Sequence, residues 1–262
     1  MSIFVRSLLF NVGFYLSLII HILLALPAFF LPRRVLFALA RSWARSTNWM
    51  LLVLCNVRVE FRGLHNLSQG PLIVASKHQS AWETIGFLPL LREPMYILKR
   101  ELTWIPFFGW FLLKAKMIPV NRGAGARTLT RMTEIARRRI REAEGRQLII
   151  FPEGTRRPVG AEPRYKFGVA QVYVDCGVPC VPVALNSGLF WPRRRFLRYP
   201  GTLIVEFLEV IPPGLSRDDF LLKVQDEIET ATTRLITEGR DAQAQFGMSP
   251  PVDTGAAAPP SD

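Results

Sequence analysis

Short runs rich in valine, isoleucine and leucine recur along the chain between stretches of helical periodicity, and they predict seven β-strands. Several of these runs are apolar throughout, which is the pattern of strands buried on both faces. The sequence therefore predicts an α/β fold, with a mixed, mostly parallel sheet flanked by helices. The predicted strands are residues 57–61, 72–75, 96–98, 117–120, 148–151, 181–185 and 203–208.

Two longer stretches carry the periodicity of amphipathic helices. Residues 124–144 place Leu129, Met132, Ala136 and Ile140 on one stripe, and residues 218–238 show a similar apolar stripe. Both helices are therefore predicted to pack against the sheet. The arginines within residues 137–141 are interpreted as a solvated helix face, with contact to anionic lipid as the alternative.

The amino-terminal stretch is the most apolar part of the chain. Residues 7–32 contain no Asp, Glu, Lys or Arg, and as a helix they would be long enough to cross the roughly 30 Å hydrocarbon layer of a bilayer. The run exceeds the core of a cleavable signal peptide, and no small-x-small site precedes Arg33 and Arg34. We therefore expect a retained membrane segment, with the following arginines placing the rest of the chain on the cytoplasmic face.

A second apolar stretch, residues 49–57, is too short to span a bilayer. This stretch could be an interfacial membrane segment or a core helix of the α/β domain, and the two are equally compatible with its sequence. If it lies in the interface, it could form a half-embedded hairpin with the first segment, so a spanning helix and such a hairpin both remain open. We predict three parts: a membrane-embedded helical segment with an interfacial linker (1–56), an α/β domain (57–246) and a disordered tail (247–262). The tail is rich in Pro, Gly, Ala and Ser and lacks apolar periodicity.

Charge and cysteine content narrow the choice of partners. The formal net charge is +12, from 33 Lys and Arg against 21 Asp and Glu, which favours an anionic membrane surface, a phosphorylated substrate or nucleic acid. Three cysteines without a CxxC pair give no disulfide framework, as is typical of a reducing compartment. With only three histidines besides, we predict no metal site.

His78 is the residue with the clearest chemical potential. It follows the strand at 72–75, and an imidazole titrating near neutral pH can take a proton from an attacking hydroxyl. Glu83 would lie far from His78 on a regular helix, but a helix capped by Ser80 leaves His78 outside it, where contact is permitted. Alternatively, Ser80 and Glu83 form a capping box that serves only the helix, and both interpretations stay open.

A second polar segment, FPEGTR at residues 151–156, follows the strand at 148–151. Pro152 and Gly154 predict a tight turn that lets the backbone approach a ligand, while Thr155 offers a hydroxyl and Arg156 a fork for phosphate. The segment therefore predicts an anion or substrate clamp. An ordinary turn with a surface arginine is the alternative.

Two further strands end in polar or small residues. Residues 114–122 deliver Asn121 and Arg122 to a glycine-rich loop, and residues 181–188 end in Asn, Ser and Gly. We expect all four polar segments to share one rim of the sheet.

These four segments, in this order, resemble the glycerolipid acyltransferase family that includes the 1-acyl-glycerol-3-phosphate acyltransferases, over roughly residues 72–188. The resemblance implies that His78 is the general base on the acceptor hydroxyl, that Glu83 supports it and that Arg122 binds the acceptor phosphate. It also implies substrate binding by the letter-for-letter match to the third motif, namely Glu153, Gly154, Thr155 and Arg156.

Two departures from the family pattern bear on the acceptor. Glu83 stands where the family usually has Asp, which adds one methylene to the acid. Lys116 replaces a frequent Gly and Asn121 a frequent acid, so Lys116 is predicted to join Arg122 in binding a phosphate monoester.

The resemblance implies an enzyme of a bacterial-type inner membrane that acylates a lysophospholipid to make phosphatidic acid. Its implied partners are acyl-carrier protein or a CoA thioester as donor and anionic membrane lipid, with no cofactor and no nucleic acid. Open alternatives are acylation of another lyso-lipid, such as a lyso-ornithine lipid, and a non-catalytic basic protein that binds membranes or nucleic acid. A lipid hydrolase is disfavoured because no G-x-S-x-G elbow occurs.

Overall fold

The computed structural model describes residues 1–68, 70–121, 125–142 and 145–245, without the side chains of residues 125, 126 and 245. Within these ranges the chain forms an amino-terminal helical hairpin packed on an α/β domain. The tail predicted for residues 247–262 lies outside the described residues.

Seven strands form one sheet in the order β1-β7-β6-β2-β5-β3-β4. All neighbouring pairs are parallel except β6 and β7, which confirms the predicted mixed, mostly parallel sheet. Each predicted run overlaps one strand. The strands are β1 (Val57–Arg62), β2 (Leu72–Ser76), β3 (Met95–Lys99), β4 (Ile118–Val120), β5 (Gln147–Ile150), β6 (Cys180–Leu185) and β7 (Gly201–Phe207).

Helices cover both faces of the sheet because the central strands are apolar on both sides. On β2, Leu72 and Val74 join one buried cluster while Ile73 and Ala75 join the other. The first cluster lies under α1 (Ile3–Ala25), α2 (Arg33–Cys55), α3 (Glu83–Gly86) and α4 (Phe108–Lys114). The second lies under α5 (Gly125–Ile140), α6 (Gly168–Cys176) and α7 (Arg217–Gln245).

The helices α1 and α2 form an antiparallel hairpin that lies along the α/β domain. At the start of α1, the rings of Phe4 and Phe196 are 5.5 Å apart, and near the hairpin tip Lys114 donates to the carbonyl of Phe29. A helix of this length extends for about 35 Å. The α/β domain therefore contacts the hairpin at two places about one helix length apart. Among the described residues, α1 is the one helix long and apolar enough to cross a membrane. The contacts at both ends place the hairpin against the α/β domain.

The second apolar stretch, residues 49–57, has one buried side and one exposed side. It forms the end of α2 and the first residue of β1, with Leu51 and Cys55 buried in the core. Trp49, Leu52 and Val53 are exposed on the other side of the same helix.

A buried arginine fastens α1 to the loop before β7. The backbone N–H of Arg198 donates to the hydroxyl of Ser7 at 2.9 Å, and its guanidinium donates to Asn11 at 3.1 Å. The guanidinium also lies 4.5 Å from the ring centre of Trp191, and burial lowers its pKa to about 10. These contacts fix α1 on the domain rather than leaving it free.

Candidate active site

His78 and Glu83 form a buried pair at the carboxyl end of β2. The ring nitrogen Nδ1 of His78 lies 3.0 Å from Oε2 of Glu83, and the ring stacks on Phe151 with centroids 3.8 Å apart. A carboxylate only accepts, so the Nδ1–H tautomer is assigned by this bond, and Nε2 is left as an acceptor with no hydrogen-bond partner among the described residues. The ring is held in one orientation with its basic nitrogen available.

Glu83 also holds the turn that precedes α3. Its two oxygens accept the backbone N–H of Ser80 at 2.9 and 3.0 Å, and the hydroxyl of Ser187 donates to Oε1. The capping interaction and the contact with His78 are therefore both present, in one carboxylate. The helix α3 is one short turn that begins at Glu83, later than predicted, although the hydroxyl of Ser80 accepts from the N–H of Trp82 at 3.1 Å as a capping residue does.

The segment 151–156 makes the predicted tight turn. Gly154 has a positive φ of 66°, and its N–H donates to the carbonyl of Phe151 at 2.9 Å. The turn is joined to the histidine segment, since the N–H of Arg157 donates to the carbonyl of His78 at 2.8 Å. This bond fixes the position of the turn relative to the backbone of His78.

Arg156 and His78 both line a large cavity. Its carbonyl accepts from the guanidinium of Arg193 at 2.8 Å. Burial lowers the pKa of Arg193, and the charges of Arg194, Arg156 and Arg157 lower it further. Because like charges crowd together here, a bound anion would relieve their repulsion.

The cavity has a volume of about 550 Å³ and runs between the hairpin and the α/β domain. Its walls are mostly apolar side chains of α1, α2 and α4, among them Leu18, Ala40 and Phe111. His78 and Arg156 supply polar groups to the lining. A mostly apolar cavity with a few polar groups is the usual form of a site for a small organic ligand.

Comparisons with known proteins agree with this arrangement. A sequence profile of the Acyltransferase family matches residues 58–186. The chain is 38% identical to a 1-acyl-sn-glycerol-3-phosphate acyltransferase of Pseudomonas aeruginosa over 176 residues, covering 67% of this chain and 66% of that relative. The chain belongs to the acyltransferase family.

A human relative and a solved structure extend the comparison. The chain is 31% identical over 167 residues to human 1-acyl-sn-glycerol-3-phosphate acyltransferase beta, covering 62% of this chain and 59% of that protein. The crystal structure of the 1-acyl-sn-glycerophosphate acyltransferase PlsC from Thermotoga maritima has the same fold, with a TM-score of 0.72 at 22% identity. That match covers 88% of this chain and 97% of the other. The sequence alignments thus span about two thirds or less of these two relatives' lengths.

Three of the four polar segments of the acyltransferase domain meet at one rim. Ser187 donates to Glu83, and the N–H of Gly188 donates to the side chain of Gln79 at 3.0 Å, so the end of β6 joins the ends of β2 and β5. The fourth segment ends β4, which two strands separate from β2. Asn121 is exposed there, and Arg122 lies outside the described residues.

The structure does not bring Lys116 to the His78 site. Lys116 precedes β4 and so lies at the amino edge of the parallel strands, whereas His78 follows the carboxyl end of β2. Its ammonium lies 2.5 Å from a carboxylate oxygen of Glu142. This pair gives Lys116 a partner away from the His78 site, and its predicted part in phosphate binding stays a prediction, since Arg122 lies outside the described residues.

Glu153 contacts the chain itself rather than the cavity. One oxygen lies 2.9 Å from the ammonium of Lys77, and the other accepts the backbone N–H of His78 at 3.3 Å. Burial raises the pKa of Glu153, and Lys77 offsets part of that rise. Among the predicted substrate-binding residues, Glu153 therefore occupies a position that supports His78.

A polar network missed by the sequence analysis surrounds Lys77. Its ammonium also lies 2.7 Å from Glu229 of α7, which accepts from the hydroxyl of Tyr165 at 2.9 Å. Burial and the charge of Glu229 raise the pKa of Tyr165, which keeps the phenol protonated as a donor. The only signal available in the sequence was the lysine beside His78, since its partners lie 76 and 152 positions away.

Removing Lys77 is expected to destabilise the fold. Lys77→Met leaves Glu153 without its cation, and because the two side chains are 3% and 0% exposed, the free energy of unfolding should fall by about 3 to 5 kcal/mol. Urea denaturation followed by circular dichroism measures this change. Lys223→Met is the matched control, because its pair with Glu227 is at the surface and should contribute at most about 1 kcal/mol. Equal losses in the two variants would contradict the expected importance of the buried network.

Proposed function

We propose that this acyltransferase moves a fatty acyl group from acyl-carrier protein or acyl-CoA to the sn-2 hydroxyl of 1-acyl-glycerol-3-phosphate, making phosphatidic acid. The observation that carries the proposal is the pair of His78 and Glu83, since the imidazole lines a mostly apolar cavity that Arg156 also lines. The names of the relatives support the same acceptor.

In the proposed mechanism His78 acts as general base. Its Nε2 takes the proton of the acceptor hydroxyl while the oxygen attacks the thioester carbonyl, and the resulting imidazolium is stabilised by Glu83. When the tetrahedral intermediate collapses, the C–S bond breaks and the imidazolium returns its proton to the leaving thiolate. The products are the ester and a free thiol, with no acyl-enzyme.

Charge stabilisation in this mechanism comes from the turn at 151–156. The N–H of Gly154 is bonded to Phe151, so it does not serve the oxyanion as it stands. The amides of Thr155 and Arg156 are the next donors along the turn, and they are the candidates to stabilise the developing negative charge. The guanidinium of Arg156 is proposed to bind the acceptor phosphate, because its planar fork matches phosphate oxygens.

The cavity is proposed to hold hydrocarbon of the lipid substrates. Transfer of apolar chains from water to an apolar cavity is favourable, and its walls come from the hairpin as well as from the domain. The exposed apolar residues of α1 suit a hairpin that is half embedded in the cytoplasmic leaflet of an inner membrane. Lipid acceptors would then reach His78 without crossing water.

An assay of the purified protein in lipid vesicles tests the proposal. Radiolabelled 1-acyl-glycerol-3-phosphate is supplied with acyl-CoA or with acyl-carrier protein, and phosphatidic acid is expected with at least one donor. Acylation of a lyso-ornithine lipid with none of 1-acyl-glycerol-3-phosphate would replace the proposed acceptor. Failure to transfer to either acceptor, together with salt-sensitive binding of DNA, would favour the non-catalytic alternative.

A further inference from the structure

Residues 102–113 display an apolar surface that the proposed mechanism does not use. We call this segment the aromatic knuckle; it comprises the end of a short helical turn, Arg100–Trp104, a tight bend and α4 up to residue 113. Its large exposed side chains, with their exposed fractions, are Leu102 (37%), Trp104 (67%), Ile105 (45%), Phe107 (42%), Trp110 (51%) and Leu113 (53%). Such a concentration of exposed aromatic residues marks an interaction surface.

The knuckle is rigidly built. Gly109 packs so closely on Thr103 that an added Cβ would lie 2.2 Å from its carbonyl oxygen, and the N–H of Gly109 donates to Ile105 at 2.8 Å. Phe107 has a positive φ of 61°, a conformation that is costly for an aromatic residue. A backbone fixed in this way holds the apolar side chains outward instead of letting them fold onto the domain.

Continuity and charge identify the occupant of this surface. Lys114 donates to the carbonyl of Phe29 and lies 5.4 Å from its ring centre, so the knuckle borders the hairpin tip, where Phe30 is 88% exposed. Lys99, Arg100 and Lys114 flank the knuckle. Trp and Phe between cations are typical of segments at the interface of an anionic bilayer.

We propose that the aromatic knuckle inserts into the same leaflet of an anionic phospholipid bilayer as the hairpin, as a second membrane contact. Three of its side chains, Leu102, Phe108 and Leu112, also line the cavity, as do Leu18 and Ile22 of α1. The knuckle and the hairpin then border the opening through which lipid passes from the bilayer to the cavity. This inference rests on the proposed lipid acceptor for its purpose, but the insertion itself is independent of turnover.

Site-directed labelling of the full chain tests the insertion. The three native cysteines are buried, and burial raises the pKa of Cys55 to about 11 and of Cys176 to about 12, so an introduced surface cysteine reacts first. Trp104→Cys and Leu113→Cys are labelled with an environment-sensitive fluorophore and mixed with vesicles of phosphatidylcholine and phosphatidylglycerol. Both labels should shift to shorter emission wavelengths, gain intensity and be quenched by brominated acyl chains.

Two controls bracket this result. Leu16→Cys on α1 reports the hairpin and should shift, while Leu222→Cys on α7, where Leu222 is 72% exposed, should keep the emission of a label in water. Labels at 104 and 113 that behave like the label at 222 would overturn the proposal. A shift that depends on protein concentration without vesicles would also overturn it, because the surface would then be an interface between two copies of this chain.

A double substitution measures the contribution of the knuckle to binding. Trp104→Ser with Trp110→Ser should weaken vesicle affinity by at least about tenfold, because two large apolar side chains lose their transfer from water. Leu222→Ser is the matched control and should bind vesicles as the unmodified chain does. Equal affinities for the double variant and the control would contradict the insertion. Label fluorescence and vesicle affinity are both measured without turnover, so their interpretation does not depend on which acceptor the enzyme uses.

Discussion

The His78→Ala protein is expected to fold normally and to lose turnover by a factor of about 10² to 10⁴. In the proposed mechanism Nε2 of His78 takes the proton of the acceptor hydroxyl. Its removal leaves the thioester, the cavity and Arg156 in place, so binding should survive. The measurement is kcat for phosphatidic acid formation in vesicles, with KM for the lipid acceptor determined alongside.

The control for this variant is a histidine on the same domain but away from the cavity. His65 is exposed in the short helical turn after β1, and His65→Ala should keep the activity of the unmodified chain. Circular dichroism and thermal unfolding establish that both variants are folded. Unchanged kcat in a folded His78→Ala protein would end the proposed mechanism.

The strands could be predicted from the sequence, but their order could not. Each of the seven strands overlaps a predicted run rich in apolar residues, and the central strands β2, β5 and β6 are buried along their whole length. The placement of β7 between β1 and β6 depends on pairing between segments distant in the chain, and no local pattern encodes it. The helices α4 and α6 were missed because they contain 7 and 9 residues, too few for a clear apolar period.

The sequence predicted those parts of the site in which the polar residues directly follow a predicted strand. His78, Glu83 and the turn at Gly154 lie together as expected, because parallel strands bring their carboxyl ends to one edge. The contacts from Ser187 and Glu229 come from segments 104 and 152 positions away from their partners, and nothing local signals them. Lys116 is near Arg122 in sequence but precedes β4 rather than following it, so nearness in the chain does not decide which end of a strand a side chain serves.

The Glu83→Gln protein is expected to lose kcat by about 10² to 10⁴-fold, because a neutral amide cannot stabilise the imidazolium of His78; the corresponding change in a serine protease triad costs roughly 10⁴. Groups that Glu83 contacts are donors, namely the N–H of Ser80, the hydroxyl of Ser187 and Nδ1–H of His78. The amide nitrogen of glutamine is itself a donor, so wherever it faces one of these groups a hydrogen bond is lost. The free energy of unfolding should also fall, by about 1 to 3 kcal/mol, so kcat must be measured where the variant is fully folded.

Glu83→Asp separates charge from capping, since it restores the acid that is usual in the family and keeps the carboxylate. The side chain is one methylene shorter, so the bonds to Ser80 and His78 cannot both keep their present lengths of about 3 Å. If the charge beside His78 is what matters, Glu83→Asp should stay within about tenfold of the unmodified kcat, as a lengthened bond of this kind is worth about 1 kcal/mol. Equal and large losses in the folded Asp and Gln variants would mean instead that the reach of the glutamate, and hence the exact placement of the ring, limits turnover more than its charge does.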